Sequence, residues 1–170
     1  VLFSSDIKVT IAHVDMLKSC GHITSTEKKK IISGLKKVLA LAENGKLKCS
    51  VDFEDVHMNI ENALVSVIGD VGKKIHLGRS RNDLVATDLR LYLRDFIDLY
   101  IDQLRDIQFV LANVAMKHSD SLFPGFTHMQ VAQPVTFGHH LLAWCEMIRR
   151  DEIRLINNRE SINIMPLGSA

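Results

Sequence analysis

The run from Asn82 to about His118 constrains the fold of this chain more than any other part of the sequence. Its apolar residues recur at steps of three and four, which is the pattern of a bundle or coiled-coil helix. They are Ala86, Leu89, Leu93, Phe96, Tyr100, Leu104, Ile107, Leu111 and Val114. Such a helix is about 55 Å long, too long for a 170-residue globule with a radius of gyration of about 15 Å. The run therefore predicts a helix that packs against other subunits, and so an oligomer.

The rest of the sequence is also helical in pattern, which predicts an all-α fold. Apolar spacing predicts four further helices, approximately from Asp6 to Ser19, Thr24 to Asn44, Val56 to Ile68 and Thr136 to Ser161. A capping box, Thr24-Ser25-Thr26-Glu27, begins the second of them, and Asn44-Gly45 ends it.

Strand patterns are nearly absent, and the residues from Ser119 to Pro134 are expected to form a polar loop. We expect a small N-terminal helical domain over residues 1–78, incomplete at its start. Residues 79–170 are expected to form the first long helices of a truncated multi-subunit bundle. The chain begins without an initiator Met or a signal-peptide pattern and stops at a turn, so we expect a fragment of a longer protein.

Composition excludes several classes of protein. The chain is 46% hydrophobic and 24% charged, which suits a folded core, and its net charge of +1 provides no overall field for nucleic acid or membranes. No run of about 18 uncharged apolar residues predicts a membrane span. The three cysteines, Cys20, Cys49 and Cys145, are widely spaced and form no C-x-x-C pair. They argue against a disulfide framework or a zinc site and favour the reducing cytoplasm.

The stretch Gly78-Arg79-Ser80-Arg81-Asn82-Asp83 is the first candidate binding site. Ser80, Asn82 and Asp83 are good N-cap residues, so a helix beginning here directs its free N–H groups and its positive dipole end at the loop. With two arginines added, this corner can hold a carboxylate or a phosphate. The alternative interpretation is a capped helix with two solvated arginines.

A second candidate is the segment Pro124-Gly125-Phe126-Thr127-His128-Met129-Gln130, between two long helices. Loops on a helical scaffold commonly carry function, and the pKa of an unperturbed histidine lies near neutrality, which suits proton transfer. The alternative is a surface histidine in a connecting loop.

Two further segments that contain histidine lack the complete pattern of a metal site. Glu54-Asp55-Val56-His57 contains Glu-x-x-His, half of a di-iron bundle site, but the chain has no second copy. His139-His140 is followed by Glu146 and lacks the His-Glu-x-x-His pattern of a zinc protease. We therefore expect no metal, and interpret the first segment as an acidic cluster at a helix start.

Several of these motifs together resemble the argininosuccinate lyases of the fumarase/aspartase superfamily. The resemblance covers nearly the whole chain, and its strongest segments are Gly78-Arg79-Ser80-Arg81-Asn82-Asp83 with Val85-Ala86-Thr87-Asp88-Leu89-Arg90, the Pro124–Gln130 segment with Ala132-Gln133-Pro134, Gly138-His139-His140, and Met147-Ile148-Arg149-Arg150-Asp151. Glu54-Asp55-Val56-His57 and Pro166-Leu167-Gly168-Ser169 also fall in register.

The resemblance implies an all-α homotetramer that reversibly cleaves argininosuccinate into arginine and fumarate, in arginine biosynthesis and the urea cycle. It implies no metal or organic cofactor. It implies that Ser80, Arg81 and Asn82 bind the carboxylates and polar groups of the substrate, and that Asp55 and His57 lie at the edge of the site. Thr127 would bind substrate, and His128 would transfer a proton or orient the group that does.

The sequence departs from the family pattern at Leu84, often Gln, and at Val131, often Arg. Segments that carry a catalytic serine, a substrate lysine and further binding residues fall outside the chain, so we expect these 170 residues alone to be inactive. Other superfamily lyases, such as adenylosuccinate lyase or aspartase, are an alternative. A non-catalytic structural role like that of lens crystallins is another, and a helical metal carrier is a third.

Overall fold

The structure is a computed structural model that describes residues 2–168. Its elements, in chain order, are α1 (Phe3–Ser19), α2 (Ser25–Glu43), α3 (Val56–Ile68), a 3₁₀ helix (Asp70–His76), α4 (Arg81–Lys117), β1 (Leu122–Thr127), β2 (Gln130–Thr136) and α5 (Phe137–Ile162). The predicted helical class is confirmed. Each predicted helix is present, with bounds that differ from the expected ones by three residues or fewer. None of the helices within residues 2–168 combines the length and the apolar character that crossing a membrane requires.

The described residues form two compact units. The first contains residues 2–92 and 165–168, and the second is Leu93–Ile164. The first part of α4 belongs to the first unit and the remainder to the second.

The core of the first unit lies between α1, α2, α3 and the 3₁₀ helix. Its fully buried side chains include Ile7, Val14, Ile31, Leu35, Val38, Ile60, Leu64 and Ile75. Gly34 lets α2 approach α3 closely, because a Cβ at this position would lie 2.6 Å from Cδ1 of Leu64. The predicted capping box is confirmed, since Glu27 N donates to Thr24 Oγ1 at 3.2 Å and Thr24 N donates to Glu27 Oε2 at 2.8 Å. These contacts fix where α2 begins and hold it on the core.

In the second unit, α5 runs antiparallel to the later part of α4. Arg159 Nε donates to Asp98 Oδ1 at 2.8 Å, and Arg105 Nε donates to Glu152 Oε1 at 2.7 Å. A residue later in α4 pairs with a residue earlier in α5, so the two helices are antiparallel. At the end of α4, a Cβ on Gly138 would lie 2.5 Å from the carbonyl oxygen of Ala115. Glycine therefore allows α5 to begin against the α4 backbone.

The second unit leaves much of its apolar surface exposed. Phe109 is 70% exposed, Val110 59% and Leu99 58%, all on the helix that the sequence predicts to need further neighbours. Exposed apolar surface on this scale is typical of an interaction surface. It agrees with the predicted oligomer, which stays a prediction.

The predicted polar loop from Ser119 to Pro134 is wrong in part, because β1 and β2 form an antiparallel hairpin there. Its tip is the two-residue turn His128-Met129, with φ angles of 50° and 58°. Two-residue hairpin turns favour such left-handed conformations. The usual signal for this turn is Asn-Gly, and His-Met does not carry it. Pro124 and Pro134 face each other across the ladder. Because proline is uncommon in sheets, these residues also weaken the strand pattern in the sequence.

Candidate functional site

The segment between the 3₁₀ helix and α4 directs its two arginines differently. Gly78, with φ of 62°, provides the left-handed turn that precedes them. Arg79 turns into the first unit, where its Nη1 donates to Thr10 Oγ1 at 3.2 Å. Burial lowers the pKa of Arg79, and the nearby carboxylates of Asp6, Asp88 and Glu61 oppose this shift. The interpretation of two solvated arginines is therefore wrong for Arg79.

Arg81, the first residue of α4, lies on the surface of the same unit. Its Nη1 is 3.1 Å from Glu54 Oε2 and 3.4 Å from Asp55 Oδ2. Asp55 is also the N-cap of α3, because its Oδ1 accepts from Met58 N at 2.8 Å. One carboxylate thus fixes the start of α3 and holds the side chain at the start of α4.

Arg81 lies in an open cleft of about 420 Å³. The cleft is lined by Glu54, Asp55, Arg81, Asn82, Val85, Ala86 and Leu89. The structure therefore brings three predicted site residues, Asp55, Arg81 and Asn82, to one surface, while Ser80 is half-buried beside them. A guanidinium, an amide and the N-terminal end of a long helix are groups that bind carboxylates.

His57 is not at the surface of this cleft. It is 1% exposed, and its Nδ1 lies 3.0 Å from Asp6 Oδ2. Thr10 Oγ1 donates to the other oxygen of the same carboxylate at 3.2 Å. Nε2 of His57 is buried and has no hydrogen-bond partner among the described residues.

Asp6 and Asp88 are functional candidates to which the sequence analysis assigns no role. Both are buried, at 1% and 4% exposure. Burial is the largest of the effects that raise the pKa of Asp88 to about 8. The neighbouring carboxyl of Asp6 also raises this pKa, and Arg79 lowers it. Their sequence signal is a polar residue that continues a buried helical stripe: Asp6 precedes Thr10 by one turn on α1, and Asp88 follows Leu84 by one turn on α4.

Thr127 and His128 belong to the second unit. Both are exposed at the tip of the hairpin, where the left-handed turn holds His128. The turn presents an imidazole and a hydroxyl on adjacent residues at the surface. These groups can exchange protons and hydrogen bonds with a ligand.

Among residues 2–168, one group of side chains has the composition of a metal site, namely His57, Glu61 and His76. All three belong to the first unit. The sequence motifs do not indicate this group, because His76 lies far along the chain from the other two.

A family model described as Lyase matches residues 2–170, and the chain belongs to this lyase family. It is 51% identical over 170 residues to the argininosuccinate lyase of Ruthia magnifica subsp. Calyptogena magnifica, and the aligned region covers 100% of this chain and 35% of that relative. It is 53% identical over 169 residues to the argininosuccinate lyase of Pseudomonas syringae pv. tomato, covering 99% and 36%. The predicted resemblance is thereby confirmed. The chain spans about a third of the length of these relatives.

Two solved structures have a fold similar to that of this chain. A crystal structure of EDDS lyase in complex with formate superposes with a TM-score of 0.83 and 34% identity, covering 99% of this chain and 33% of that one. Fumarate lyase from Mesorhizobium sp. BNC1 superposes with a TM-score of 0.77 at 22% identity, covering 99% and 40%. The second likeness concerns the fold alone.

The pKa of Asp88 predicts that the protein becomes less stable as the pH rises. An unfolded Asp titrates near 3.9, so the folded state binds the proton more tightly and gains a stability that is complete below about pH 4. This stability is lost progressively until the pH has passed about 8. Asp88→Asn keeps a neutral donor beside Asp6. We expect its free energy of unfolding, measured with urea between about pH 5 and 9, to fall less than that of the parent.

The matched control is Glu43→Gln, which neutralises an exposed carboxylate in the same unit. Its pH profile should follow that of the parent. An Asp88→Asn variant that loses as much stability as the parent over this range would contradict a protonated Asp88.

Proposed function

We propose that the whole protein is an argininosuccinate lyase that reversibly cleaves argininosuccinate to arginine and fumarate. The observation that carries this proposal is the cleft that Arg81 and Asn82 line at the start of α4. It is supported by relatives named argininosuccinate lyase at 51–53% identity over almost the entire chain. A related solved structure, an EDDS lyase variant, contains bound fumarate.

Arg81, Asn82 and Ser80 bind the carboxylates and polar groups of the substrate in this proposal. Arg81 is half-buried, while its partner Glu54 is 76% exposed. An exposed ion pair contributes little stability, so a substrate carboxylate can replace Glu54 at low cost. Asp55 remains in place because it caps α3. Asp55 and the buried His57 then support the binding surface from the side of α3.

The elimination removes a proton from a carbon next to a carboxylate and creates additional negative charge. Cationic side chains and helix N-termini stabilise such charge. Thr127 binds substrate, and His128 transfers a proton or orients the group that does. The reaction requires no metal or organic cofactor.

The proposed assembly is a homotetramer in which several subunits contribute to each site. The exposed apolar side chains of the second unit, such as Phe109 and Leu99, support a further interface there. In this proposal the enzyme acts in the cytoplasm, in arginine biosynthesis or the urea cycle. Argininosuccinate is its small-molecule substrate, and nucleic acid and membranes are not partners.

The direct test is fumarate release by the full-length protein from argininosuccinate, adenylosuccinate and aspartate. We expect release from argininosuccinate alone, because the curated relatives carry that specificity in their names. Release from another of the three would assign a different superfamily lyase. A folded oligomer that releases fumarate from none of them would favour a non-catalytic structural role.

His128→Asn in the full-length enzyme should lower kcat by about 10²-fold or more, because a positioned proton-transfer group contributes about that factor. Asparagine tolerates the left-handed backbone that His128 adopts, so the hairpin should be retained. The loss should appear in the rate of fumarate formation at saturating argininosuccinate.

Met129→Asn is the matched control, since Met129 shares the turn and is 99% exposed. It should leave kcat within a few-fold of the parent. An unchanged kcat in His128→Asn would remove His128 from the mechanism, and an equal loss in both variants would attribute the effect to the turn.

A further inference from the structure

Three side chains of the first unit converge although they come from two elements. His57 and Glu61 lie one turn apart on α3, and His76 ends the 3₁₀ helix. One ligand atom of each lies within 4.8 Å of the others. We propose that these residues form a binding site for a divalent transition-metal ion of the zinc class. The proposal is independent of the lyase chemistry, which requires no metal.

The separation of two of the ligand atoms already suits such an ion. Nδ1 of His76 lies 3.5 Å from Oε2 of Glu61. The edge of a tetrahedron with zinc bonds of about 2.1 Å is about 3.4 Å. The ligand atoms of all three residues lie within 4.8 Å of one another, and the side chains of His76 and Glu61 can adjust because they are 44% and 23% exposed. Their exposure also provides an entry path for the ion.

His57 supplies the second, independent observation. Its Nδ1 is engaged by Asp6 at 3.0 Å, and because a carboxylate only accepts hydrogen bonds, this nitrogen carries the proton. The lone pair of a neutral ring is then on Nε2, which is buried and has no partner among the described residues. An unpaired buried polar atom is costly. A carboxylate that orients a histidine from behind is the usual outer partner of a metal-bound imidazole.

The surrounding charges favour a dication. The carboxylates of Asp6 and Glu61 act on Arg79 and outnumber this one buried guanidinium, whereas the raised pKa of Asp88 leaves that carboxyl largely uncharged near neutral pH. Two more cations, Lys73 and Arg81, line the adjoining surface. Lys73 is paired with Asp70, and Arg81 with Glu54 and Asp55. Their charges are therefore compensated before an ion binds.

The donor set defines the ion that would bind. Two imidazoles and one carboxylate suit zinc, cobalt or nickel better than magnesium or calcium, which prefer oxygen ligands alone. Three protein ligands leave a fourth position for water. The site thus has the composition of an open zinc centre.

The test uses the full-length protein, with Co²⁺ as a spectroscopic probe and Zn²⁺ in competition. We expect one Co²⁺ per chain, with visible absorption of a four- or five-coordinate ion that Zn²⁺ abolishes. His76→Ala and Glu61→Gln should each weaken binding at least 10-fold, since each removes a ligand. Asp6→Asn should weaken it by about 10- to 100-fold, the usual effect of removing an outer partner.

The matched control is His22→Ala, which removes an exposed histidine of the same unit and should leave the affinity unchanged. Far-UV circular dichroism checks that each variant is folded. Affinity weaker than about 1 mM would mean that His76 and Glu61 form only an ion pair. Binding that persists in His76→Ala and Glu61→Gln would place the ion elsewhere. Either result would overturn the proposal.

Discussion

The first unit depends on the contacts that the buried carboxylate of Asp6 makes. This carboxylate accepts from Thr10, engages Nδ1 of His57 and neighbours the carboxyl of Asp88. A charge removed from water is costly unless it is paired and hydrogen-bonded. The helices that supply these partners, α1, α3 and α4, are therefore held in one arrangement around it. The position of α3 and the start of α4 in turn determine where Asp55 and Arg81 meet.

The same cluster explains why one arginine faces inward and another outward. Arg79 offsets the charge of the buried Asp6 carboxylate and donates to Thr10. Its burial anchors the segment that follows Gly78, and Arg81, the first residue of α4, remains at the surface beside Asp55. Arg81, which we propose binds substrate, is thus positioned by a neighbour that does not itself line the cleft.

The sequence predicts most helices well because their signals are local. Thr24 and Glu27 form the expected capping box, and α3 has the expected bounds. The hairpin is missed because its turn, His128-Met129, adopts a left-handed conformation that neither residue type indicates. The inward direction of Arg79 is missed for another reason. It depends on Asp6 and Asp88, and no local pattern brings these residues together.

The candidate site shows the same division. The glycine-rich segment and the acidic segment are recognisable as motifs, and the structure joins Asp55, Arg81 and Asn82 in one cleft. The contact between His57 and Asp6 spans 51 positions, and periodicity within a helix contains no information about it. The structure does not test the roles of the predicted site residues, and these roles in binding or catalysis remain proposals for Asp55, His57, Ser80, Arg81, Asn82, Thr127 and His128.

The importance of the Asp6–His57 contact is measured most directly by a double-mutant cycle. The free energies of unfolding of the parent, Asp6→Asn, His57→Gln and the double variant would be determined with urea at one pH. Residues in direct contact typically couple by about 0.5–3 kcal/mol, and independent ones add within about 0.3–0.5 kcal/mol. We predict a coupling above about 1 kcal/mol. Additive effects would contradict the central place of this buried pair in the first unit.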